Sequence, residues 1–109
     1  MRRGEIWTGA GPGYAGKPRP MVIVQDDRFT ETGSVTICAF TTDPTEAPLL
    51  RLSVQADVLK GRHRDSQLMV DKLLTVPRSQ LREQVGRLSD EDMVRLGRMM
   101  VVFLGLAGA

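Results

Sequence analysis

The apolar residues of this chain change their period once. Up to Leu88 they come in short runs rich in Val, Ile, Leu and Phe, broken by Gly, Pro, Asp and Thr. From Met93 to Leu104 they recur every three or four residues. The first pattern belongs to strands and the second to one amphipathic helix. At 109 residues the chain has room for one domain and no second core. The expectation is a sheet with a helix at its C-terminal end, spanning 1–109.

The strands are expected at Gly4–Gly9, Pro20–Gln25, Ser34–Thr42, Leu49–Val54, Ser66–Val70 continuing into Leu73–Val76, and Glu83–Leu88. The segment 10–18 carries Gly11, Pro12, Gly13, Gly16 and Pro18, which excludes regular structure. The run after Pro20 is almost continuously apolar, so it should be buried on both faces or close a barrel. Pro20 itself belongs at a strand start or edge. Leu50, Leu52 and Val54 alternate with Arg51 and Ser53, the pattern of a strand with one wet face. Residues 57–65 read as a polar, basic loop, and Pro77–Leu81 as one helical turn.

Ser89 is a good N-cap. Asp92 three residues on resembles a capping box with Asp in place of Glu, and Asp90 and Glu91 complement the helix dipole. Met93, Leu96, Met100, Phe103 and Leu104 form the apolar stripe, and Gly105 can stop the helix. Met99, Val101 and Val102 widen the apolar surface. Such a helix should bury two sides, one on its own sheet and one on a second copy of the chain. The fold class is α+β, mainly β: a strongly bent antiparallel sheet of five to seven strands, or a small barrel, with a C-terminal helix.

Cys38 is the only cysteine, so no internal disulfide is possible. It stands in the apolar run Val35–Phe40 and reads as a buried core thiol. The Arg2-Arg3 start is not followed by an apolar stretch, and no run reaches membrane-spanning length; a cytoplasmic protein with no membrane partner is expected. The net charge of +2 is modest, but it is unevenly spread. Residues 1–30 carry five Lys/Arg against three acids, and residues 60–87 seven against three. A fold that joined these segments would make a patch suited to a phosphate backbone.

Most catalytic constellations are missing. No Cys or His pair has metal-ligand spacing, so neither a metal nor a cofactor is expected. The Gly11–Gly16 stretch formally matches Gly-x-Gly-x-x-Gly, but it leads into a strand and not a helix. His63, the only histidine, lies in the basic run Lys60–Arg64 and reads as a surface residue facing nucleic acid. Arg19 stands out. Pro18 precedes it, and Pro20 restricts it to extended backbone, a stiff mount for a planar guanidinium that can fork onto phosphate oxygens. Thr41 and Thr42 close the third strand, where a hydroxyl could reach the same place. On the residues alone, Arg19 is either such a phosphate binder or a plain surface charge.

Five segments resemble one family in collinear order. They are Arg3-Gly4-Glu5-Ile6-Trp7, the strand Lys17-Pro18-Arg19-Pro20-Met21-Val22-Ile23-Val24, the strand Val35–Thr42, the segment Asp65–Val76, and Gly86-Arg87-Leu88-Ser89 with the following helix. The chain resembles the MazF/PemK/Kid toxins of type II toxin–antitoxin systems. That resemblance implies a homodimer of SH3-like bent barrels that cleaves single-stranded RNA at short sequences without metal. It also implies a cognate antitoxin with an extended segment in the RNA groove. By position, the family's catalytic arginine falls on Arg19 and its catalytic threonine on Thr41. RNA contacts are expected from Tyr14 (by stacking), Lys17, Thr42, Arg62, His63, Arg64 and Asp71. The chain departs from the family at Gly13-Tyr14-Ala15, which lacks a carboxylate, and at Lys72, where Gln is common. The alternatives are a gyrase-poisoning toxin of the CcdB type, whose usual Trp-Gly-Ile tail this chain lacks, and a non-catalytic SH3-like nucleic-acid-binding module.

Overall fold

The computed structural model describes residues 1–9, 19–55 and 66–108. Among these, six strands and one helix run in chain order: β1 (Glu5–Gly9), β2 (Arg19–Ile23), β3 (Ser34–Thr41), β4 (Arg51–Val54), β5 (Ser66–Pro77), β6 (Leu81–Arg87) and α1 (Asp90–Phe103). The strands form a single sheet in the order β4-β5-β3-β2-β1-β6, with every pairing antiparallel.

The sheet carries buried clusters on both faces, although among the described residues only one α-helix is available to cover it. On one side Ile6, Val22, Cys38, Leu68 and Val70 pack with Leu88 and with Leu96 of α1. On the other, Met21, Ile23, Val35, Ile37, Val76 and Leu81 pack together with Trp7 and Met69. A flat sheet would leave that second face wet, so the sheet must curl over it. Irregularities in register assist the bend, because extra residues on one strand increase local twist. They occur twice between β1 and β6. A larger one lies between β3 and β5, where Met69 to Lys72 stand against Ala39 alone.

β2 meets the two-faced expectation: Met21, Val22, Ile23 and Val24 are all buried. Its bounds are Arg19–Ile23 and not Pro20–Gln25. Pro20 sits second in the strand, paired with Thr8 and ahead of the first pair with β3, Met21–Ala39. It therefore costs no hydrogen bond on that side. A Cβ at Gly9 would lie 2.6 Å from Met21 Cε, so any side chain there would push the end of that methionine aside.

Several expected boundaries shift. Ser66–Val70 and Leu73–Val76 are one twelve-residue strand, β5, because the bulge absorbs Asp71 and Lys72 without breaking the chain's direction. Leu49 and Leu50 are not strand. After Pro48 the amides of Leu50 and Arg51 both donate to Ala47 O at 2.9 Å, which makes a turn. The last strand begins at Leu81 and ends at Arg87. The single helical turn before it is a 3₁₀ turn, Arg78–Gln80. Arg78 fastens the connection between β2 and β3, donating to the carbonyls of Thr32 and Phe29.

α1 begins as expected: Ser89 Oγ accepts from the Asp92 amide at 3.1 Å. The Asp92 carboxylate faces Arg95 at 3.3 Å instead of completing a capping box. The helix ends in a Schellman turn. Gly105 adopts φ +73° and donates to Val102 O, while Leu106 donates to Val101 O, the two bonds that define the motif. The apolar stripe is only partly covered. Leu96 is fully buried and Met93, Met99 and Met100 pack against the core, but Phe103 and Leu104 are exposed. No helix among the described residues is long and apolar enough to cross a membrane.

Candidate active site

Arg19 and Thr41 end neighbouring central strands on the same side of the sheet. The β2–β3 register runs Ile23–Ile37, Val22–Cys38 and Met21–Ala39. Continued by two residues it sets Arg19 opposite Thr41. Period-2 alternation puts both on the face that carries Met21 and Ala39, and directly opposite residues hold their Cβ atoms about 5 Å apart. Arg19 is paired on its other side with Gly9, which has no side chain to crowd it. The Arg19 side chain is exposed and makes no hydrogen bond or ion pair among the described residues.

Thr41 is half-buried. Its Oγ1 accepts from the Asp43 amide at 3.1 Å. That bond uses an acceptor site and orients the hydroxyl, leaving its proton available to donate. The pair can therefore present a forked cation and a neutral donor to one anionic group. Thr42 is half-buried beside it.

Asp71 lies in the β5 bulge, its Oδ1 3.2 Å from Arg51 Nη1. The ion pair is poorly aligned: Arg51 Nε and Nη1, Asp71 Oδ1, Gln67 Oε1 and Ser66 Oγ are all buried without a hydrogen-bond partner. Arg51 had read as part of a wet strand face, and the alternation of β4 alone could not reveal that a bulge in β5 would bring a carboxylate against it. Gln67 pairs directly with Thr41 across β3 and β5 and was likewise missed. Tyr14, Lys17, Arg62, His63 and Arg64 lie outside the described residues.

Cys38 is fully buried. Burial, with the negative charge of Asp71, pushes its thiol up to about 12 against the smaller opposing pull of the Met69 amide and Arg51. It stays a neutral core thiol and not a nucleophile. Among the described residues no group of three or more His, Cys, Asp or Glu could hold a metal ion.

Residues 2–104 match the family described as PemK-like, MazF-like toxin of type II toxin-antitoxin system. The probable endoribonuclease MazF of Mycolicibacterium smegmatis is 55% identical over 109 residues, covering 99% of this chain and 100% of its own length. The endoribonuclease MazF of Staphylococcus epidermidis is 24% identical over 97% of this chain and 92% of its own. Among solved structures, the Mycobacterium tuberculosis toxin MazF-mt6 superposes with a TM-score of 0.78 at 20% identity, covering 93% of this chain and 96% of its own. An endoribonuclease in complex with its cognate antitoxin, from a mycobacterial species, gives 0.77 at 20% identity over 100% and 99%. At that identity the two structures show the shared fold, a bent antiparallel sheet closed by a C-terminal helix. With the family match running over nearly its whole length, the chain belongs to the PemK-like, MazF-like toxins of type II toxin–antitoxin systems.

Proposed function

We propose that this toxin is a sequence-specific endoribonuclease that cleaves single-stranded RNA without a metal ion. The substrate's own 2′-OH loses its proton to water and attacks the adjacent phosphorus, the P–O5′ bond breaks, the departing 5′-oxygen takes a proton from water to leave as a 5′-OH, and a 2′,3′-cyclic phosphate remains. What supports this reading is the β2–β3 register, which continued two residues past Met21–Ala39 sets Arg19 opposite Thr41, both accessible, at the ends of central strands. Such a pair suits a phosphorane, which gains negative charge on its non-bridging oxygens as the 2′-oxygen attacks. Arg19 stabilises that charge through a bidentate fork, and Thr41 donates its hydroxyl proton to a second oxygen. Arg19 acts chiefly as a fixed cation. RNA contacts from Tyr14, Lys17, Thr42, Arg62, His63, Arg64 and Asp71 belong to the same reading. So do a homodimer, in keeping with the exposed apolar end of α1, and a cognate antitoxin such as the one in the mycobacterial complex.

The test is to incubate the protein with single-stranded RNA in EDTA beside Arg19→Ala and Thr41→Val. Cyclic-phosphate ends are expected, with each variant slower by about 10²–10³-fold, the usual cost of removing one oxyanion donor. Intact RNA together with gyrase-dependent DNA breaks would refute it.

A further inference from the structure

Stabilising the phosphorane leaves one step without a protein group. The 2′-OH must lose a proton, and water alone is a weak base for it. Arg19 has no acceptor, and Thr41 is engaged as a donor. The residue that folds back onto this pair is Asp43. Its amide donates to Thr41 Oγ1 at 3.1 Å, which holds residue 43 against the hydroxyl that serves the phosphate. From that amide the short side chain keeps the Asp43 carboxylate oxygens within about 8 Å of Thr41 Oγ1 in any rotamer. The distance accommodates the reacting 2′-oxygen and one water, the path over which a positioned base can act.

The turn after β3 does not account for this carboxylate. It uses only the amide of residue 43, which any residue but proline supplies. Pro44 follows and holds Asp43 in extended backbone, so the side chain starts from a fixed mount. Asp43 is exposed, and its carboxylate makes no hydrogen bond or ion pair among the described residues. Both of its oxygens are therefore open to accept. Other described carboxylates are occupied or distant. Asp71 is turned towards Arg51, Asp26 and Asp27 lie in the connection at the other end of β2 and β3, and Asp90, Glu91 and Asp92 open α1. Among the described residues no other acidic residue bonds to Arg19 or Thr41.

We infer that Asp43 is a further catalytic residue, the general base of the cleavage, acting through one water. As the 2′-oxygen attacks phosphorus, its proton passes to that water, and the Asp43 carboxylate accepts a proton from the water in turn. The P–O5′ bond breaks, the 5′-oxygen takes a proton from solvent water, and Asp43 then returns its own proton to solvent. This rests on the endoribonuclease reading and supplies the base that the reading otherwise leaves to solvent. Arg19, Thr41 and Asp43 then provide a fixed cation, a neutral donor and an acceptor around one phosphodiester.

For the test, a cut site mapped in a long single-stranded RNA is carried on a short oligonucleotide. Wild type, Asp43→Ala, Asp43→Asn and Glu46→Ala are compared on it in EDTA. Both Asp43 variants keep the backbone amide that holds Thr41, so their melting temperatures should match wild type. Each should lose about 10²-fold or more in kcat, the low end for a general base. KM should be no higher than in wild type, because a negative charge beside the phosphates is gone. Glu46→Ala, which removes another exposed carboxylate of the same loop, should keep kcat. Sodium formate should restore Asp43→Ala in proportion to its concentration, and sodium chloride at equal ionic strength should not. Asp43→Asn, whose amide fills the space, should stay slow in formate. A kcat of Asp43→Ala close to wild type would overturn the inference. So would a loss in Asp43→Ala that formate leaves untouched, which would make residue 43 a positioning residue only. The two readings fail differently: wild type that leaves RNA intact sinks both, whereas wild-type cleavage that needs Arg19 and ignores Asp43 sinks only the base.

Discussion

At the scale of single residues, Glu5 is a carboxylate held on several sides. Its Oε1 accepts from the Arg2 amide at 2.9 Å and from the Trp7 indole at 3.0 Å, and it lies 3.7 Å from the N-terminal ammonium. Burial alone would raise its pKa. The Arg2 and Trp7 hydrogen bonds, with the N-terminus and Arg87, outweigh that and hold it below its ordinary 4.5. A carboxylate with a depressed pKa adds stability above its unfolded value, and that stability is lost as pH falls through the folded one. Glu5→Gln should therefore lower stability by about 1 kcal/mol near neutrality. The gap to wild type should close as thermal melts are taken below pH 4.5; a gap that stays constant down to strong acid would contradict the assignment. The Arg-Gly-Glu-Ile-Trp opening was legible as a family mark, but the reason for its Glu, a clasp around the first strand, needed the coordinates.

At the scale of elements, α1 is attached to the sheet through few residues. Leu96 is its only fully buried side chain, with methionines packed around it. Leu96→Ala should cost about 2–5 kcal/mol, the range for truncating a buried leucine, read as a lower urea midpoint. A loss under about 1 kcal/mol would mean that the flexible methionines refill the cavity. The helix was legible from its period, its Ser89 cap and its Gly105 stop, because these are contacts within one turn of chain. The split of β5 into two strands was wrong for the complementary reason. Asp71-Lys72 looks like an interruption locally, but the two residues sit in a bulge defined by where β3 pairs on either side.

At the scale of the whole molecule, the C-terminal end of α1 is left uncovered. Val101, Val102, Phe103, Leu104 and Leu106 are all exposed, Leu106 by 70%, and several line an apolar cleft with Gly97 and Met100. A second copy of the chain is the proposed cover. Val102→Glu/Leu106→Glu should convert a dimer mass in light scattering at micromolar concentration to a monomer mass. A wild-type monomer under the same conditions would end that proposal. The widened stripe was visible in the sequence, but which of its residues the chain covers by itself was not, since that depends on how far the curled sheet reaches along the helix.

What the sequence determined by itself was everything governed by local period and capping: strands before residue 88, one helix after it, a buried thiol at Cys38 and a stiff mount for Arg19 between prolines. The tertiary structure alone decided which side chains share a face and which meet. Arg19 and Thr41 are 22 positions apart, and the β2–β3 register continued by two residues sets them opposite each other; Arg51 and Asp71 come together through a bulge; Gln67 meets Thr41 through the pairing of β5 with β3. Register is a non-local quantity. It is set by packing on both sides of a curled sheet, and a slip of one residue would turn every one of these side chains to the opposite face.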